Sequence, residues 1–348
     1  MAAPGRENGT PLELSRDQVL AFRRRVQALD ARLPPGPDSL RRAAWSGLQD
    51  SVPRSALHAL HARVDGVAPD AWEDPALVQI WGPRYTAYVV PAGEHAPFTL
   101  GRLPEKGRIR ERAEDLARRL HEHLDGRQLP MDPAGEALGV HPNSLRYAAL
   151  TGSVLIRWAG ARQPTVWTVP RPDLTPAEAL QELVRRYLHF LGPSTVESFG
   201  RWGGVDASAA VTAFDALGGS LLPTHTLLGD GWILADDEPI SRQPPAPAAG
   251  ARLLPSGDPY YLLWGADREL LVADRVRRGE LWTSRVWPGA LLVGGEVAGT
   301  WRRAKAVVEV TPWRRLSPAE REAVEAEAAT MPLPDVSIPA AVRWTDAG

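Results

Sequence analysis

One order of elements occurs three times in this chain, and that repetition constrains its fold more than any single motif does. The first copy starts at "LSRDQVLAFRRRVQALD", where Ser15 and Gln18 form a capping box and Leu14, Val19, Phe22, Val26 and Leu29 share one helical face. The triple arginine at 23–25 falls mostly on the opposite face and is expected in solvent. Two further helical segments follow, "SLRRAAWSGLQ" and "PRSALHALHARVDG", and then the β-rich "LVQIWGPRYTAYVVP". In the second copy "GRIRERAEDLARRLHEHLDG", "DPAGEALG" and "HPNSLRYAALTG" are the helices and "VLIRWAGARQPTVWTV" is the strand pair. The third runs from "TPAEALQELVRRYLHFLG", through two short helices around "WGGVD", to "SLLPTHTLLGDGWILAD", expected to turn at Gly229-Asp230-Gly231. Helices followed by a β-hairpin make the order of a winged helix.

The expected class is therefore α+β, with winged-helix units at 12–103, 104–172 and 173–238. The proline- and alanine-rich stretch 239–251 reads as a linker. Residues 252–332 read as a β-meander with a tight hairpin at Gly294-Gly295 and a terminal capping helix, "SPAEREAVEAEAATM". The proline-broken tail 333–348 is expected along the surface, and the polar first ten residues are expected to be loose.

With 348 residues, 44% of them hydrophobic, the chain can bury more than one core. Cysteine is absent, which excludes disulfides, thiolate zinc sites and a Cys nucleophile. The "HEH" at 121–123 lacks the i, i+4 spacing of a zincin, and no phosphate loop, nucleophile elbow or dinucleotide fingerprint occurs, so neither metal nor cofactor is expected. No apolar run reaches the ~18 residues of a membrane span and no leader precedes the first helix, so a cytoplasmic protein without a membrane partner is expected. The thirteen tryptophans are expected in cores rather than as a platform for a small DNA-reactive compound.

A net charge of −2 gives no global attraction to nucleic acid, so a polyanion site must be a local patch. Arginine can build one: lysine occurs only at 106 and 305, while arginines come in pairs such as Arg302 and Arg303. Bidentate phosphate and guanine contacts favour arginine. A GC-rich codon preference would leave the same mark.

Several stretches carry a resemblance: "GLQ" at 47–49, "ARVDG" at 62–66, "GPRYTAYVVP" at 82–91, "VRRYLHFLGPSTVESFGRWGGV" at 184–205, and then "LLPSGDPYYL", "LVGGEVAGTWRR" and "LSPAEREAVEAEAA". On these the chain resembles the AlkZ-like family of winged-helix DNA glycosylases, including its YcaQ branch, over about residues 12–330. The resemblance implies three tandem winged helices curved around duplex DNA, acting on bulky alkylated or crosslinked purine nucleotides. Its catalytic motif, a Gln, one intervening residue, then Gln or Asp, falls on Gln49, Asp50 and Ser51. The first position is kept and the second is not.

Ser51 is too short to replace a Gln and carries no charge, although a bridging water could extend it. Asp50 offers a carboxylate one residue out of register. Either could instead cap the helix that follows, where the family's Asp-Pro pair is here Val52-Pro53. Relatives also carry Arg-Gly-Thr-Leu-His where this chain keeps Arg84 and Thr86 but has Tyr85 and Tyr88. A tyrosine can stack on a base or bond a phosphate, or Tyr88 can simply face the sheet. Other expected DNA contacts are Asn143, Ser144 and Arg146 at the start of a recognition-type helix, Arg157 in the following wing, and Arg302 and Arg303 after "GTW". The expected partner is double-stranded DNA carrying bulky alkyl adducts, bound by a monomer that associates with the nucleoid. The alternative is a non-catalytic DNA-binding protein on the same scaffold, a transcription regulator or one that sequesters adducts.

Overall fold

The computed structural model describes residues 10–345 apart from 53, 161, 246, 247, 249 and 335. The expected loose start therefore lies, but for Thr10, outside the described residues, as do parts of the linker and the tail. The architecture is a mixed α+β one. Helix starts follow the capping signals. Arg16–Val26, Pro176–Leu191 and Pro318–Ala329 each open on a reciprocal box, Ser15 with Gln18, Thr175 with Glu178 and Ser317 with Glu320. Each box satisfies two N–H groups that a helix start otherwise leaves unbonded. Among the described residues no helix is long and apolar enough to cross a membrane.

Among the described residues the strands form three sheets. In the six-stranded one, Leu77–Trp81 and Ala87–Pro91 pair as a hairpin, and Gln79 sits opposite Ile156, so the hairpins of the first two copies share one sheet. Both Ala87–Pro91 and Val154–Arg157, which flank Leu77–Trp81, are mainly apolar on both faces, a pattern that needs cover and neighbours rather than a free edge. The third hairpin, Leu221–Thr226 with Gly229–Leu234, recruits the N-terminal strand Leu12–Glu13 in parallel. Its turn is at Leu227-Leu228 and not at the Gly229-Asp230-Gly231 expected from sequence. The Thr226 hydroxyl moves it: that oxygen accepts the Leu228 N–H at 3.1 Å and donates to the Gly229 carbonyl at 3.2 Å, closing a two-residue loop.

The C-terminal sheet runs in the order Ala251–Leu254, Gly289–Val293, Glu296–Ala304, Val307–Pro312, Ala341–Trp344. Gly294 and Gly295, with φ of +59° and +84°, make the tight hairpin read from sequence. Along the surface the tail also pairs: Ala341–Trp344 adds an edge strand in parallel with Val307–Pro312, because two alternate side chains, Val342 and Trp344, pack on the core beneath while Ala341 and Arg343 stay exposed.

The triple arginine needs correction. Arg23 is 1% exposed and donates to the carbonyls of Leu191, Gly192 and Pro193, at the end of the helix Pro176–Leu191, and to Asp267 at 3.1 Å. Arg24, also buried, reaches Asp30 at 2.7 Å and the Gly295 carbonyl. A helix C-terminus is a favourable seat for a guanidinium. This contact pins the first helix to the third copy, and a large apolar core accordingly runs through Leu20, Tyr88, Leu188, Phe199, Tyr260 and Leu292.

Candidate functional site

Gly47 turns the chain out of helix Pro37–Ala44. Its φ is +74°, and a Cβ there would lie 2.5 Å from Phe98, so only glycine fits. The strand Leu48–Gln49 then pairs with Val89 and Tyr88, and the Asp50 N–H continues the ladder to the Ala87 carbonyl at 2.8 Å. Strand alternation sends the Gln49 and Asp50 side chains to opposite sides.

Gln49 is half-buried, and its amide nitrogen donates to the Thr86 hydroxyl at 3.4 Å. Its amide oxygen lies against Gly257, where a Cβ would approach it to 2.6 Å. Gly257, at φ +76°, belongs to the "SGD" loop, and Asp258 of that loop takes two bonds from Arg63 at 2.7 and 2.8 Å, both side chains buried. A residue at the end of helix Ser55–Arg63 thus fixes a C-terminal loop against Gln49. Ser51 lies in a bend beyond the strand and is exposed.

Asp50 faces inward and is completely buried. Its carboxylate accepts the Ala56 N–H at 3.0 Å, in the first turn of helix Ser55–Arg63, and the Gln79 amide at 2.8 Å, with Arg54 3.8 Å away. Burial pushes this carboxyl up to about 7, against the Ala56 N–H, Arg54 and Gln79, which favour its charged form. Gln79 in turn accepts the Trp158 N–H at 2.7 Å, so Asp50 braces the helix start and, through Gln79, the second copy.

Arg84 and Tyr85 both take left-handed backbone, at φ +54° and +58°, a costly pair for residues with side chains. Compensating bonds hold them. Arg84 donates to the carbonyls of Arg201 and Trp202 and lies 4.0 Å over the Trp264 ring. Arg102 donates to the Gly82 carbonyl at 2.6 Å and to the Gly203 carbonyl at 3.0 Å. Burial, with the Arg84 charge adding to it, brings Arg102 down to about 10, so it keeps its charge at neutral pH. From there a stack of two tyrosines between two arginines crosses to the second copy: Arg102 is 5.1 Å from the Tyr85 ring, Tyr85 is 5.1 Å from Tyr147, and Arg112 is 4.3 Å from Tyr147.

The recognition-type helix is short, a 3-10 turn at Pro142–Ser144 leading into α-helix over Leu145–Ala148. Asn143 is exposed, Ser144 accepts a bond from Arg112 at 2.8 Å, and Arg146 is half-buried. Arg157 packs with Arg54 around Trp72, at 5.2 and 3.5 Å. Arg302 is exposed and Arg303 half-buried, the first donating to Val286 and the second to Lys305 carbonyls. Tyr88 has to leave the DNA-facing set: it is 0% exposed, stacked near Phe98 and covered by Gly82, because its strand lies inside the sheet with both faces covered.

The structure thus gathers Gln49 and Thr86 and turns Asp50 away. Three neighbours went unread in the sequence: Gln79, Arg102 and Gly257. Only Gln79 left a signal, as the one polar residue in the apolar strand "LVQIW".

Residues 40–332 match the family described as DNA glycosylase AlkZ-like. A curated relative, an interstrand DNA cross-link repair glycosylase of Streptomyces sahachiroi, is 24% identical over 90% of this chain and 94% of its own length. The solved structure of the Streptomyces sahachiroi DNA glycosylase AlkZ superposes with a TM-score of 0.79 at 22% identity, over 96% of this chain and all of that one.

Proposed function

The chain belongs to the AlkZ-like family of DNA glycosylases, and from that premise we propose that it hydrolyses the N-glycosidic bond of bulky alkylated or crosslinked purine nucleotides in duplex DNA. In this reading 12–103, 104–172 and 173–238 act as three winged-helix units of a monomer working at the nucleoid. The observation that carries it is Gln49, whose amide is held between Thr86 and Gly257 at the family's first catalytic position, beside the exposed Ser51.

An N7- or N3-alkylated purine is already a cationic leaving group. The protein has only to place water near the anomeric carbon and favour an oxocarbenium-like transition state. The Gln49 amide can orient and polarise that water but cannot deprotonate it. Ser51 adds a hydroxyl that reaches through a second water. Asp50 takes no part at the sugar, since its carboxylate is committed to the helix start inside the fold. Arg84, Thr86, Asn143, Ser144, Arg146, Arg157, Arg302 and Arg303 remain the proposed DNA contacts.

The test is release of the base from duplex DNA carrying N7-alkylguanine. Wild type is expected to release it and Gln49→Ala to do so roughly a hundredfold more slowly, the size of effect a positioned water-handling group has. Equal release by the two proteins overturns the assignment. A second reading, a non-catalytic DNA-binding protein that regulates transcription or sequesters adducts, is favoured by the exposed serine where the family has Gln or Asp. Tight duplex binding with no release by wild type, and a gain of release in Ser51→Gln, would establish it.

A further inference from the structure

One cleft joins the catalytic-motif region to the C-terminal sheet. It measures about 220 Å3 and is lined by Val52, Ser55 and His58 on one side and by Ser256, Trp287 and Arg302 on the other. Two groups of it bear on a ligand, a His58 ring packed edge-on against Trp301 and a Trp287 ring that lies 6.3 Å from Tyr261 and 5.4 Å from the Arg268 guanidinium. His58 is 4% exposed, and its Nε2 is buried without a hydrogen-bond partner. A buried polar atom left unpaired is costly, and a retained cost of that kind calls for a ligand or water. Trp287, half-buried, presents its ring to the same space, and Arg302 is exposed there.

The cleft also adjoins the motif directly. The Ser55 hydroxyl donates to the Gln49 and Val52 carbonyls at 3.1 and 2.7 Å, and Ser256 precedes the Gly257 that covers the Gln49 amide. Burial, reinforced by the nearby Arg303 charge, brings His58 down to about 3, so its ring is neutral at physiological pH; with its other nitrogen donating to the Pro332 carbonyl, Nε2 is left as an acceptor. A neutral buried imidazole, an aromatic face and a guanidinium in one small cleft form a chemistry for a flat heterocycle beside a phosphate. The volume suits one base: pockets for drug-sized ligands start at about 300 Å3.

We propose that this cleft is a base-binding site, which takes an N-alkylated purine with His58 hydrogen-bonded to the heterocycle edge and the Trp287 ring against its face. The proposal rests on the glycosylase reading and names where the extruded or released base is held. The test is isothermal titration of the full chain with free 7-methylguanine, alongside base release from 7-methylguanine duplex by the same preparation. Binding by wild type, weakened at least tenfold in His58→Leu and in Trp287→Leu, supports the cleft. If His58→Leu fails to fold by circular dichroism, Trp287→Leu carries the comparison. Base release without any binding of the free base overturns the cleft and leaves the enzyme standing. Binding without release keeps the cleft and removes the hydrolase. Absence of both overturns both, and equal binding by wild type and the folded variants shows that the orphaned His58 nitrogen holds only a water.

Discussion

At Gly257 two demands meet in one residue: backbone at φ +76°, and room for the Gln49 amide oxygen, which a Cβ would approach to 2.6 Å. Gly257→Ala is therefore expected to lose about 1–3 kcal/mol from the left-handed backbone alone. Displacement of Gln49 should lower base release by roughly a hundredfold, as small misplacements at a reacting centre do. Adding Gly257→Ala to Gln49→Ala should then change the rate little, a non-additivity that a double-mutant cycle reads directly. Asp50 gives a second residue-scale expectation, in stability. Its carboxyl is raised from 3.8 to about 7 by burial, so the folded state holds a proton the unfolded chain has released. The stability it contributes is full below roughly pH 4 and is lost as pH rises through about 7. The stability difference between wild type and Asp50→Asn, from urea melts at a series of pH values, should move against wild type across that window and stay flat above pH ~8. A constant difference from pH 4 to 8 would show that the site's hydrogen bonds hold Asp50 charged throughout.

Among the elements, junctions decide more than the elements themselves do. The capped helices and the Gly294-Gly295 hairpin could be read from sequence because their signals are local: a hydroxyl three residues before a Glu or Gln, or two glycines free to take positive φ. Buried arginines could not. Nothing within "FRRRVQ" says that a helix C-terminus 168 residues away will supply the carbonyl that Arg23 bonds. The candidate site divides the same way. Gln49 was legible through its motif, but the direction of Asp50 was not, because 39–49 reads as helix and the strand Leu48–Gln49 comes from pairing with Val89 and Tyr88; Gly257 and Arg102 likewise enter through contacts distant in sequence. Arg23→Met tests how much such a junction carries. It leaves Asp267 and three carbonyls without their shared cation, for an expected loss of about 3–5 kcal/mol in chemical denaturation. A loss under ~1 kcal/mol would mean that water replaces the guanidinium, and that the first helix is held to the third copy by its apolar face alone.

For the whole molecule the net charge of −2 sets the terms of DNA binding. Long-range attraction is weak, so affinity has to come from arginines that stand outside internal ion pairs, and many do not. Arg118, though exposed, is held by Asp115 at 2.7 Å and Glu122 at 3.0 Å, while among the described residues Arg302 makes no ion pair and donates to the Val286 carbonyl at 3.2 Å. Each phosphate neutralised by the protein releases condensed counterions, so it steepens the fall of log K with log salt by about 0.9. Arg302→Gln and Arg146→Gln are each expected to make that slope shallower by about one unit in duplex-binding titrations between 50 and 200 mM salt. Arg118→Gln, which breaks an ion-paired cluster on the helix Arg108–Leu124, should leave the slope unchanged. An unchanged slope in the first two variants would take 146 and 302 out of the DNA interface. Binding would then rest on the arginine-tyrosine stack of Arg102, Tyr85, Tyr147 and Arg112, where the contact is with bases as much as with phosphates and depends less on salt.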